Sequence, residues 1–226
     1  MDEQELYRNR RKKARLAGVC YLILALAALP DMLRKSLFIA GDAVATGGNI
    51  LANAALFRLS ILGDIVTEVF FLFLALSLYG LLREVSRGAA RAMLSLVVIA
   101  VTMTVFNTGN EIAAIGLFEA DDQVHGILMI AAYQASALPV SVFFGLWMMP
   151  LGYLFLKSGF MPRLLGILVT IGGSGYVIHS IVSVIAPRAT EQFVLLSVIA
   201  EVATIVWLLA FGVKRPSGKG GVRSAI

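Results

Sequence analysis

A chain of 226 residues that is 59% hydrophobic and 15% charged, with a mean hydropathy of +0.87, is too apolar for an ordinary soluble domain of its size. Its formal charge of +5 comes from basic residues clustered beside apolar segments, so a nucleic-acid-binding surface is not needed to account for it. A single cysteine, Cys20, excludes an internal disulfide and a cysteine-based zinc site.

Crossing a bilayer core of about 30 Å takes roughly 20 helical residues. Apolar segments near 16–37, 60–82, 92–117, 127–156, 163–186 and 192–213 meet that requirement. None alternates polar and apolar residues as a membrane barrel strand does, so an all-α, six-transmembrane-helix bundle is predicted. The first segment follows Arg8, Arg10, Arg11, Lys12, Lys13 and Arg15. A basic stretch leading into Leu16–Leu29, with Ala25, Ala27 and Ala28, resembles a signal peptide whose removal would leave five helices. Asp2, Glu3 and Glu5 in the leading stretch, and the return of apolar character at Leu37, Phe38 and Ile39, favour an uncleaved anchor instead.

Between the first two segments, Gly47, Gly48 and Asn49 are expected to break the chain. Beyond them Ile50, Leu51, Ala54, Ala55 and Phe57 give one apolar side of a short amphipathic, surface-lying or re-entrant helix. The acidic connection from Leu117 to Gly126 carries Glu119, Asp121 and Asp122 beside His125. The fourth segment contains Pro139 and Pro150, which remove backbone hydrogen bonds and kink a helix, as in helices that line cavities. Gly166, Gly172, Gly173 and Gly175 in the fifth segment are read as close-packing positions and not as a phosphate loop, which would need a Walker lysine.

The basic residues set the orientation. Besides the N-terminal group, Arg83, Arg87 and Arg91, then Lys157 and Arg163, then Lys214, Arg215, Lys219 and Arg223 fall on one side, leaving Arg34, Lys35, Arg58 and Arg188 for the other. Cytoplasmic loops carry the Lys/Arg excess, so N- and C-termini are both predicted cytoplasmic in a multi-pass inner-membrane protein. Residues 1–213 form a single transmembrane helical domain on this reading, and 214–226 a flexible basic cytoplasmic tail.

Ionisable and amide groups inside apolar segments mark candidate sites, because each costs at least a few kcal/mol in hydrocarbon. Asp64 and Glu68 are four apart and share a stripe; Asn107 and Glu111 share another with Thr104 and Thr108. Gln134, His179 and Glu201 lie in the fourth, fifth and sixth segments. A rise of about 1.5 Å per residue puts Glu68 and Glu201 near the midplane. These groups are predicted to converge on an outward-facing polar cavity, with lipid bilayer around the bundle and a small polar or cationic ligand within. Glu68, Glu111, His179 and Glu201 are also competent metal ligands or acid/base groups, so the alternative is a membrane-embedded enzyme acting on a lipid or isoprenoid group. His125 and His179 raise haem ligation, although His125 at the start of its helix is expected to be wet. A third alternative is an accessory subunit whose polar groups serve helix packing.

Two stretches carry a resemblance: GDAVATGGNILANAALFRLSILGDIVTEVFF (41–71) and FFGLWMMPLGYLFLKSGFMPRLLGILVTIGGSGYVI (143–178). They resemble the bacterial membrane family known as domain of unknown function 4386, over most of residues 12–213. The Gly-Leu-Trp, Pro-Leu-Gly-Tyr and Lys-Ser-Gly-Phe-x-Pro-Arg elements are the more specific part. The resemblance implies a multi-pass inner-membrane protein, with Arg58 and Asp64 as leading site positions and an altered role for His179, where the family often has an acid. It implies no activity.

Overall fold

In a computed structural model, residues 3–39, 41–185 and 191–214 are described, with the side chains of 191–194 excepted. Among them the chain is helical and no strand occurs. The helices are α1 (Glu3–Ala27), α2 (Leu29–Arg34), α3 (Ala43–Ala52), α4 (Ala54–Leu82), α5 (Arg87–Glu119), α6 (Gln123–Ser158), α7 (Arg163–Ile185) and α8 (Glu191–Ala210). Among the described residues five stretches are long and apolar enough to cross a membrane: Glu3–Leu37, then α4, α5, α6 and α7; in α8 the apolar part described, Leu195–Ala210, is shorter. The predicted tail beyond Lys214 lies outside the described residues, as does Arg188.

Two boundaries differ from those expected. The helix before α4 begins at Ala43 and includes Gly47, Gly48 and Asn49, which do not break the chain. Asp42 caps it, its carboxylate accepting from the Ala45 N–H at 2.8 Å. Gly47 is helical because it is pressed against Phe118 and Gln123, where a Cβ has no room. The break falls instead at Asn53, and α4 starts six residues ahead of the expected position 60. In the first apolar segment, the helix stops at Ala27, and Pro30 sits in the first turn of α2. A single 3-10 turn, Lys35–Leu37, follows.

The six long helices close into a ring: α1 packs on α4, α4 on α5, α5 on α6, α6 on α7, α7 on α8, and α8 back on α1. Glycines set the closest approaches. A Cβ on Gly145 would lie 2.5 Å from the Gly173 carbonyl, and one on Gly173 would lie 2.6 Å from the Gly145 carbonyl. A second pair, Gly152 and Gly166, meets in the same way two turns along α6 and α7. Gly172 seats against Ala200 and Ser197 of α8, where the Ser197 hydroxyl donates to the Gly172 carbonyl at 2.6 Å.

Both ends of the described chain meet at one end of the ring. Arg10 pairs with Glu84 at 3.1 Å, the Lys13 ammonium donates to the Gly80 carbonyl, and the Lys214 N–H donates to the Phe160 carbonyl. The basic connections after α4 and α6 therefore share that end with α1 and the exit of α8. At the far end α2 packs on α4, and α3 on α5 and α6.

Two apolar cores fill the ring. The larger runs through Phe71, Leu74 and Leu78 on α4 and Met93, Val97 and Ala100 on α5; the smaller, at the far end, holds Phe57 and Ile61 on α4 and Ala114, Ile115 and Phe118 on α5. Asp64, Glu68, Asn107, Thr108 and Glu111 come between them in sequence on the same two helices. Outward faces are Leu, Ile, Val and Phe, with Leu62, Val69, Phe106, Ile112 and Ile181 exposed. An apolar exterior around a polar interior layer is the distribution a bilayer solvent selects.

Candidate functional site

The interior layer is organised around Arg34, whose side chain is 0% exposed. Because α2 turns away from α1 at Ala28 and Pro30, the last residue of its short helix points back between α4, α5 and α6. One guanidinium nitrogen, Nη2, lies 2.6 Å from Asp31 one turn earlier and 2.8 Å from Asp64 on α4. It also donates to the Tyr133 hydroxyl of α6. The other, Nη1, lies 2.6 Å from Glu111 of α5 and 3.4 Å from the Ser60 hydroxyl. The guanidinium carbon stands 5.1 Å from the centre of the Tyr133 ring. A planar fork with five donors is suited to holding several acceptors at once, which a lysine could not do.

By formal count three carboxylates surround one guanidinium, and the nearest further cation, Lys35, reaches Asp31 only at 3.8 Å. Glu111 is fully buried, and beyond the ion pair of one oxygen with Arg34 neither of its oxygens has a hydrogen-bond partner among the described residues. Carboxyl groups therefore outnumber the guanidinium in a setting that disfavours their charge. Its open side is a cavity of about 700 Å³, with Asp31, Lys35, Tyr133 and Gln134 as polar wall and Phe38, Ile39, Ile127 and Ile130 among the apolar wall. Asn107 braces this wall, its amide donating to the Tyr133 carbonyl at 3.0 Å, and Asn110 donates in turn to Asn107.

The acids expected in one shared cavity fall in two places. Asp64 and Glu111 meet at Arg34. Glu68 and Glu201 face a separate pocket of about 160 Å³ in the middle of the ring, with Tyr21, Thr67, Phe71, Phe144, Trp147 and Tyr176. Arg58 stands apart from both: it is 55% exposed and pairs with Glu119 at 2.6 Å, at the surface between α4 and the end of α5. The two leading positions of the resemblance, Arg58 and Asp64, are therefore not paired, and the arginine beside Asp64 is Arg34. His179 is half-buried on α7, one turn beyond Tyr176. Among the described residues no three His, Cys, Asp or Glu side chains are grouped to hold a metal, so Glu68, Glu111, His179 and Glu201 are not gathered into one metal centre. His125 is exposed and its ring bonds to Asp122, the cap of α6. The His125 N–H donating to that cap holds the Asp122 carboxyl below its usual range.

Arg34, Asp31 and Tyr133 are the members that sequence patterning passed over. Arg34 and Lys35 fall at the end of the first apolar segment and enter that reading only as charges of the far side. The available signal was the spacing Asp31-x-x-Arg34 inside an otherwise apolar stretch, together with acids on α4 and α5 that had no cation assigned to them.

A closed ring of apolar helices around buried, paired charges defines a multi-pass membrane protein. Within that class the chain belongs to the family described as Domain of unknown function (DUF4386), whose model matches residues 16–212. No curated protein and no solved structure matches it.

Proposed function

We propose that this is a six-span inner-membrane protein with both ends in the cytoplasm, α8 being the sixth span, and that its outward half binds a small polar ligand carrying a positive charge. The basic connections gathered at the end where the chain begins and leaves α8 support this orientation. The observation that carries the binding reading is the surplus of carboxylate around Arg34, with Asp31 placed at the wall of the 700 Å³ cavity. A cation entering there meets Asp31, the Tyr133 side chain and the Gln134 amide, while Lys35 at the same wall can meet an anionic group on the same ligand. Apolar Phe38, Ile39 and Ile130 limit the water that competes for those contacts.

The test is a thermal-shift screen of purified protein with small amines, amino acids and polyamines. The reading requires at least one compound to raise the melting temperature saturably, and Asp31→Asn to weaken that effect. A screen in which no cationic compound stabilises, or in which Asp31→Asn leaves every shift unchanged, would refute it.

A further inference from the structure

We propose that the pocket in the middle of the ring is a second, separate binding site, and that it takes a small organic ammonium ion. It is lined by residues from α1, α4, α6, α7 and α8, and its two acids each sit halfway along their helices, Glu68 in α4 and Glu201 in α8. Glu68 is 3% exposed, and its Oε2 has no hydrogen-bond partner among the described residues. The Thr104 hydroxyl donates to the Ala100 carbonyl of its own helix at 3.0 Å. Glu201 is held from one side by the Tyr176 hydroxyl at 3.5 Å. Glu68 thus lines the void with a carboxyl group that lacks a donor at one oxygen, and a positive group beside it would favour the ionised form.

The chemistry of the remaining wall chooses among cations. Five aromatic side chains line the pocket: Tyr21, Phe71, Phe144, Trp147 and Tyr176. Phe71 packs edge-on against Trp147 at 5.1 Å and tilted against Phe144 at 5.6 Å, so three of them form one continuous surface. Hard inorganic ions need a shell of oxygen ligands, whereas aromatic faces attract weakly hydrated alkylammonium ions, Trp most strongly. A water occupies about 30 Å³ of liquid, so 160 Å³ suits an ion the size of tetramethylammonium. This site shares no side chain with the Arg34 cavity and stands whether or not that cavity binds a ligand.

The probe is tetramethylammonium chloride, titrated into the full-length protein in detergent while tryptophan fluorescence and melting temperature are followed. Trp147 lines the pocket, whereas Trp207 packs on Phe211. Saturable responses are expected in both readouts. Glu68→Gln and Glu201→Gln should each weaken binding by about tenfold, a change of about 1.4 kcal/mol. Trp147→Phe should abolish the fluorescence change, and Asp31→Asn at the other cavity should leave the affinity unaltered. Potassium chloride at the same ionic strength should give no response. A check that needs no variant is carbodiimide labelling of wild-type protein, in which tetramethylammonium should protect Glu68 from modification as read by mass spectrometry. The proposal fails if cooperatively melting wild-type protein shows no saturable response, if potassium acts equally, if both glutamine variants bind normally, or if Glu68 is not protected.

Discussion

Removing the guanidinium at Arg34 is the sharpest test of how the interior layer is held together. In Arg34→Met three carboxylates lose contacts of 2.6 to 2.8 Å. One of these, to Asp64, is a hydrogen bond to a charged group worth about 1.5–3 kcal/mol, and the other two are close ion pairs whose acids are left uncompensated. Removing one partner of a buried ion pair costs about 3–5 kcal/mol net, since the desolvation of the guanidinium itself is no longer required. For a chain of this size each kcal/mol lowers the melting temperature by about 2–4 °C, giving a fall of roughly 6–20 °C. Arg34→Lys keeps the charge but not the fork, and should fall about halfway. Adding Asp64→Asn and Glu111→Gln to Arg34→Met should recover part of the loss, because fewer uncompensated acids remain. Thermal unfolding in one detergent at fixed pH reads all four proteins. A melting temperature for Arg34→Met within about 2 °C of wild type would refute the reasoning.

Arg58→Ala, by contrast, removes an exposed pair and should cost no more than about 1 kcal/mol, a loss that disappears in high salt; a drop as large as that of Arg34→Met would move the keystone to the wrong arginine. Gly145→Leu or Gly173→Leu places a side chain against an opposing carbonyl and should destabilise by about 1–3 kcal/mol. Gly48→Ala, with nothing within 4 Å of the added carbon, should stabilise by roughly 0.5–1 kcal/mol through helix propensity. Cys20 is buried, so single added cysteines report orientation in intact cells. A membrane-impermeant maleimide should label Asp121→Cys from outside and Ser86→Cys only after lysis, and the reverse pattern would invert the proposed topology.

The long helices were legible because hydropathy and helical rise are local properties, and their apolar stretches coincide with α4 to α7. Their ends were less so. Sequence reading stops a helix where lipid-compatible residues stop, yet α1 continues backward through Arg15 to Glu3 and α5 runs on to Glu119. In α3 the paired glycines suggested a break, whereas burial against Phe118 makes glycine the residue that fits the helix at position 47. The acids of the interior layer could be named from their cost in hydrocarbon. Their grouping could not, because it depends on which helices adjoin in the ring. Asp64 and Glu68 are neighbours on one stripe yet serve different voids, since α2 covers the first and α8 faces the second. Arg34 and Arg58 look alike to a charge count; only the turn at Ala28 and Pro30 brings one of them inside.

The Asp31–Arg34 pair also has a bearing on how the chain is made. Arg34 leaves the ribosome 30 residues ahead of Asp64 and 99 ahead of Tyr133, so during insertion it must wait for most of its final company. Asp31, three positions earlier and already 2.6 Å away, is a counter-ion that emerges with it and needs no other helix to be in place. The nascent hairpin thus carries its own neutralising partner until α4 and α5 arrive, and Asp31 is then left at the rim of the finished ring.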